Sequence, residues 1–302
     1  MNNSPHSSFS NDSRWALVLG GGAATGNAWL IGVMAGLFDG GFDARRADLV
    51  VGTSAGSTAA AQIGGADPSE LYSAIIDPAT VRQTELAAAS RPSGPLKPEH
   101  LQRLLTVAGE SSDLVDFRRR MGAAALDDPA SHDGSRRAWW RETVSSRFPD
   151  HVWPQRRTLI TAVDAATGEP TVFDGSDGVD LVDAVAASCA GGFAYRIGDR
   201  HYIDGGYRIN AENADLATGY DWVLVLSPLG GRSLLPEAWR VRLGYQVDDL
   251  SARGCAVDTV VPPPEDERFF GTNATDLTLR APAARAGWKQ GRALVDRFRS
   301  AT

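Results

Sequence analysis

Twice near its beginning the chain runs an apolar, strand-length segment into small residues and straight on into a helix-length segment. "WALVLG" (15–20) passes through glycines into "GNAWLIGVMAGLFDGG" (26–41), where Trp29, Leu30, Val33, Leu37 and Phe38 recur at helical spacing. "ADLVVG" (47–52) then leads into "AGSTAAAQIGG" (55–65). Two parallel strands need a long crossover between them, usually a helix. Strand, helix, strand, turn, helix therefore points to a parallel sheet with helical connections.

The rest of the chain extends that pattern. "RTLITAVDAATGEPTVF" (157–173) reads as a strand, a turn at Ala166-Thr167-Gly168-Glu169 and a second strand. "GVDLVDAVAASCAG" (178–191) reads as a helix and "RHYIDGG" (200–206) as a short strand entering a turn. "DWVLVLSP" (221–228) is a buried strand, "PEAWRVRLGYQVDDL" (236–250) a helix, "CAVDTVVPP" (255–263) a last strand and "AARAGWKQGRALVDRF" (283–298) a closing amphipathic helix. Residues 81–157 differ. They hold helical candidates, "KPEHLQRLLTVAG" (97–109) and "SRRAWWRETVSSRF" (135–148), and no strand pattern. The expectation is a three-layer α/β/α sandwich with a mostly parallel central sheet, spanning 14–302. Residues 81–157 would form a helical insertion, and act as a lid over the site. The polar start, "MNNSPHSSFSNDS" (1–13), has neither the charge nor the apolar run of a secretory signal and reads as a disordered tail. With no apolar run long enough to span a bilayer, the reading is a soluble cytoplasmic protein with at most peripheral membrane contact. Trp139, Trp140 and Phe148 among arginines can suit such an interface, although a cap helix burying these aromatics against the core is the preferred reading.

Charge and cysteine use narrow the partners. A net charge of −7 with a pI near 5.3 lacks the basic footprint of a nucleic-acid binder. Cys189 and Cys255 have no metal-ligand spacing, and no His/Cys/Asp/Glu cluster stands out, so no metal or organic cofactor is implied.

Three glycine-rich sites carry the chemistry. Gly52-Thr53-Ser54-Ala55-Gly56 has Gly-x-Ser-x-Gly spacing between a strand and a helix, the context of a nucleophile elbow. Small neighbours let the backbone make that sharp turn, and the following helix offers partial positive charge to an oxyanion. "LGGGAATG" (19–26) also joins a strand to a helix, with unshielded backbone N–H groups that suit either a dinucleotide phosphate or an oxyanion. Ala23 breaks the Gly-x-Gly-x-x-Gly register, and the second strand lacks the acidic end a dinucleotide site wants, which favours the oxyanion reading. "YIDGGY" (202–207) read alone is a plain Asp-Gly turn.

Together and in this order, Gly20-Gly21-Gly22-Ala23-Ala24-Thr25-Gly26, Gly52-Thr53-Ser54-Ala55-Gly56 and Asp204-Gly205-Gly206 resemble the patatin-like phospholipase family, over roughly residues 14–220. "AASCAGGFAYRIGDRHYIDGG" is also similar to the family's approach to its aspartate: a helix end, a loop, then a hairpin. The resemblance implies a lipid acyl hydrolase working through an acyl-enzyme, with Ser54 as nucleophile and Asp204 as base. It further implies oxyanion donors at Gly21, Gly22 and Ala23. One departure is Thr25, where the family commonly carries Lys or Arg. The competing readings are a carboxylesterase or acyltransferase on short acyl esters, and a weakly active lipid-binding protein of the same fold.

An aspartate is a weak base unless burial raises its pKa. A Ser-His-Asp triad is the alternative, but none of the five histidines suits it. His6 is in the tail, and His100, His132 and His151 belong to the insertion or its edge. His201, three residues before Asp204, points to the opposite face of a regular strand.

Overall fold

The computed structural model describes residues 13–90, 98–148 and 150–298. The first two strand–helix units are β1 (Trp15–Leu19) with α1 (Ala23–Asp39) and β2 (Leu49–Gly52) with α2 (Ala55–Gly65). Helix α1 starts three residues earlier than the periodicity suggests, so the glycine-rich loop is tighter than its composition implies. Five helices follow: α3 (Pro68–Ile76), α4 (Pro78–Ser90), α5 (Pro98–Glu110), α6 (Leu114–Leu126) and α7 (Gly134–Ser145). Asp113 and Asp133 cap α6 and α7 through side-chain bonds to Asp116 N–H and Ser135 N–H. The sheet then resumes with β3 (Arg157–Asp164), β4 (Pro170–Phe173), α8 (Leu181–Ser188), β5 (Tyr195–Ile197) and β6 (Arg200–Asp204). β7 (Trp222–Leu226), α9 (Leu243–Ala252), β8 (Ala256–Val260) and α10 (Arg280–Phe298) complete the chain.

The helix expected over 236–250 forms only in its second half. Glu237–Trp239 is a single 3-10 turn, and Arg240 leaves it in the left-handed region at φ 52° before α9 begins.

The eight strands make one sheet in the order β5-β6-β3-β2-β1-β7-β8, with β4 paired to β3. β3, β2, β1, β7 and β8 run parallel, while β4, β5 and β6 pair antiparallel. Residues alternate between two layers, as the pleat requires. Trp15, Leu17, Leu19, Trp222 and Leu224 face a core shared with α1, α2, α8 and α10. Ala16, Val18, Val51 and Val223 face a second core with α9. Burial on both faces explains why β1 and β7 read as unbroken apolar runs. Helices α1 and α10 approach closely enough that a Cβ at Gly32, Gly36, Gly287 or Gly291 would collide with a carbonyl of the other helix.

Register decides where the site forms. Ile160 of β3 pairs with both Gly52 of β2 and Phe173 of β4, so β2 and β4 lie on opposite edges of β3. Ala162 pairs with both Thr171 of β4 and Asp204 of β6, which puts β6 on the same edge as β2. The two strands run along that edge toward each other, and their ends, Gly52 and Asp204, stop two residues of β3 apart.

Candidate active site

Ser54 sits where β2 turns into α2, with φ 52° and ψ −113°, outside the comfortable range of an L-residue. Such a backbone costs about 1–3 kcal/mol and persists only where neighbours enforce it. Here they do. Ser54 N–H donates to Ser188 Oγ at 2.9 Å, and Ser54 C=O accepts from Ser57 N–H at 3.0 Å, Ser57 Oγ at 2.6 Å and Cys189 Sγ at 3.1 Å. The motif glycines make room for the turn. A Cβ at Gly52 would lie 2.7 Å from Ser57 Cα, and one at Gly56 would overlap Leu19 O.

Asp204 ends β6, and its carboxylate accepts two bonds. Ser54 Oγ donates to Oδ2 at 2.8 Å and Gly206 N–H donates to Oδ1 at 2.8 Å. The two glycines after it have separate reasons. A Cβ at Gly205 would collide with Thr161 Oγ1 on β3, and one at Gly206 would crowd Asp204 Oδ1 at 3.1 Å. Burial pushes the Asp204 pKa up to about 6, against the opposing pull of the Gly206 and Ser54 bonds. Both Ser54 and Asp204 keep partial solvent exposure, so the pair is reachable.

The glycine-rich loop lies beside them, because β1 and β2 are in register from Leu19 to Gly52 and their turns leave the sheet side by side. A Cβ at Gly21 would be 3.5 Å from Ser54 Cβ. The three expected donors divide. Gly21 N–H is already bonded to Ala211 O at 2.8 Å, which anchors the loop. The N–H groups of Gly22 and Ala23, and of Ala24 beyond them, have no partner among the described residues. Gly20 N–H bonds Leu226 O and Gly26 N–H bonds Gly22 O, closing the loop at both ends. Ala23 has φ 52°, a second strained residue at the mouth of a helix. Thr25 is fully buried, with an Oγ1 unpartnered among the described residues, and its N–H bonds Ala274 O.

No described histidine ring bonds to this group. His132 and His201 face each other at 6.0 Å between ring centroids, and His132 Nε2 lies 2.8 Å from Leu126 O. His151 bonds at Ser145. His6 and the His100 side chain lie outside the described residues.

Several supporting residues escaped the sequence reading. Asn213, fully buried at φ 55°, donates from Nδ2 to Thr53 Oγ1 at 3.0 Å and to Gly205 O at 3.0 Å, and Thr53 Oγ1 lies 2.9 Å from Thr161 Oγ1. This network ties the Ser54 turn, β3 and the Asp204 turn together. Glu212 is wholly buried against Gly20. Its Oε1 accepts from Ser227 Oγ at 2.6 Å, its Oε2 is unpartnered among the described residues, and desolvation raises its pKa from 4.5 to about 7. A signal existed for both in the polar pair Glu212-Asn213 that follows the Asp-Gly-Gly turn. Nothing in the sequence distinguishes Ser188 from an ordinary helix-end serine. Among the described residues no three His, Cys, Asp or Glu side chains converge on a metal-sized point, and no helix is long and apolar enough to cross a membrane.

A family model described as patatin-like phospholipase matches residues 17–217, which include all three motifs. No curated protein sequence matches the chain. Among solved structures, VipD from Legionella pneumophila is similar at 12% identity and a TM-score of 0.44, over 95% of this chain and 67% of that one. The type III effector protein ExoU is similar at 18% identity and a TM-score of 0.33, over 93% of this chain and 54% of that one. The chain thus spans about two thirds of one and about half of the other.

Proposed function

The chain belongs to the patatin-like phospholipase family, and on that premise we propose that it hydrolyses lipid carboxylic esters through an acyl-Ser54 intermediate, with Asp204 as the base. The observation that carries the mechanism is the 2.8 Å bond from Ser54 Oγ to Asp204 Oδ2. As Ser54 Oγ attacks the ester carbonyl, its proton passes to Asp204 and the carbonyl oxygen becomes an oxyanion. The free N–H groups of Gly22 and Ala23, with Ala24 adjacent, stabilise that charge, helped by the α1 and α2 N-termini. Collapse breaks the ester C–O bond, and Asp204 returns the proton to the departing alcohol. Water then gives a proton to Asp204 while its oxygen attacks the acyl-enzyme, releasing the acid and restoring Ser54.

Desolvation makes this base workable. An Asp204 pKa of about 6 leaves the group ionised at neutral pH, yet far more basic than an ordinary aspartate. Helices α4 to α7 serve as the lid over the acyl chain, and α7 meets the lipid through Trp139, which is 50% exposed. The test is release of fatty acid from phospholipid vesicles and from short and long p-nitrophenyl esters by the wild type, Ser54→Ala and Asp204→Asn. Loss in both variants is the expected result. Equal activity in all three proteins rules the mechanism out, and activity confined to short esters moves the reading to a carboxylesterase.

A further inference from the structure

One turn, Asn210 to Asn213, touches all three motifs. Asn210 Oδ1 accepts from Glu212 N–H at 3.0 Å and from Asn213 N–H at 2.7 Å, and its Nδ2 donates to Val241 O, which fixes the turn. Asn213 reaches the Ser54 and Asp204 turns, and Ala211 O accepts Gly21 N–H at 2.8 Å. Glu212 lies between them and faces a second support of the glycine-rich loop. Its Oε1 accepts from Ser227 Oγ at 2.6 Å, and Ser227 Oγ accepts from Gly231 N–H at 2.8 Å. The next residue, Pro228, lies against the loop: a Cβ at Gly22 would be 2.9 Å from its Cβ, and one at Gly26 3.3 Å. The Glu212 side chain thus joins the two supports across Gly20, where a Cβ would sit 3.4 Å from Glu212 Cγ.

This setting favours the neutral acid. The side chain is wholly buried, and Oε2 has no partner among the described residues. Gly20 and Ser227 bring it no charge, α9 brings the neutral Gln246 to Ala214 N–H, and on its own segment Arg208 is paired with Asp215. A carboxylate buried with one accepted bond and no cation is costly. Ser227 Oγ donates to Oε1, so the acid proton stands on Oε2. Burial raises the pKa to about 7, and the acid form persists to neutral pH. Above that, ionisation sets a negative charge behind the loop whose Gly22 and Ala23 N–H groups must receive the oxyanion, and like charges repel strongly in a dry site.

We propose that Glu212 is a positioning residue for acyl transfer, which as the neutral acid holds the glycine-rich loop ready for the oxyanion and on ionisation disables it. This rests on the acyl-transfer reading above. The test follows kcat and KM for p-nitrophenyl butyrate from pH 5 to pH 9.5 in the wild type, Glu212→Gln and Glu212→Ala. Reactive Ser54 is counted at each pH by fluorophosphonate titration, so that unfolded chains are not scored. Wild-type kcat should rise as Asp204 ionises and then fall by about tenfold or more between pH 7 and pH 9, with KM nearly constant. Glutamine keeps an acceptor for Ser227 Oγ and cannot ionise, so the fall should be absent from Glu212→Gln. Glu212→Ala loses the link itself and should lose kcat by about tenfold or more at every pH.

A fall shared by the wild type and Glu212→Gln, or no fall in the wild type, overturns the proposal, and the glutamine comparison decides it even where the alanine variant does not fold. If no ester is cleaved in a Ser54-dependent way, the acyl-transfer reading fails first. Hydrogen exchange in a peptide covering residues 19–26 then reads the loop itself, in the wild type and Glu212→Gln at pH 6 and pH 8.5. Protection should be alike in the two proteins at pH 6 and weaker in the wild type at pH 8.5. Equal protection at both pH values refutes the hold on the loop.

Discussion

Asp204→Asn separates the cost of the base from its use. Asparagine is nearly isosteric: its Oδ1 can still accept from Gly206 N–H, and its Nδ2 can donate to Ser54 Oγ, so both contacts survive with one polarity reversed. What disappears is the ionisable group. An aspartate raised from 3.8 to about 6 is a group the folded state prefers protonated. Its stabilising contribution is complete below 3.8 and is lost as pH rises through about 6, reaching about 3 kcal/mol against the folded protein at high pH. Asparagine has no such loss. Relative to wild type, the variant should therefore gain about 2 kcal/mol of stability between pH 4.5 and pH 8. Urea unfolding of both proteins at pH 4.5, 5.5, 6.5 and 8 measures the trend, with kcat/KM on a p-nitrophenyl ester followed in parallel. Activity should fall by about a thousandfold or more while stability rises, given what general-base groups typically contribute. A stability difference that stays flat with pH would mean the carboxylate is not desolvated in the fold, and the reasoning from burial to basicity would fail.

Three further perturbations probe the supports. Ser188→Ala removes the acceptor for Ser54 N–H and should lower kcat by about tenfold or more while leaving KM nearly unchanged; a change confined to KM would contradict a role in holding the strained turn. Glu212→Gln removes a buried acid whose pKa is raised from 4.5 to about 7, so wild type loses stability as pH rises through that window and the variant should lead by about 3 kcal/mol at pH 9. Chemical unfolding at pH 5 and pH 9 measures this, and a lead no larger at pH 9 than at pH 5 would contradict it. Gly36→Ala sets a Cβ against the Trp288 carbonyl across the α1–α10 contact and should lower Tm by several degrees in calorimetry; an unchanged Tm would show that the helices can separate freely.

The parts legible from sequence are those set by local pattern. Trp15–Leu19 and Trp222–Leu226 are apolar because both faces are covered, and an unbroken apolar run is visible without a structure. The three glycine motifs are equally visible, and each holds at least one glycine that answers a close backbone approach: Gly20 at Leu226 O, Gly52 at Ser57 Cα, Gly56 at Leu19 O and Gly205 at Thr161 O. Long-range register was not. That β2 and β6 share one edge of β3, and so bring Ser54 to Asp204, depends on pairings of Ile160 and Ala162 that no local signal encodes. Donor availability was hidden for the same reason: Gly21 N–H is bound by Ala211 O, a residue 190 positions away. The helix expected from Pro236 onward begins only at Leu243, because Arg240 takes a left-handed conformation that its apolar neighbours do not announce.

Covalent trapping of the nucleophile tests the central claim most directly. After exposure to an alkyl fluorophosphonate at neutral pH, intact-mass and peptide mass spectrometry should show one adduct per chain, on Ser54, absent in Ser54→Ala and much slower in Asp204→Asn. An adduct on another serine, or one that forms on Ser54 equally fast without the Asp204 carboxylate, would contradict it.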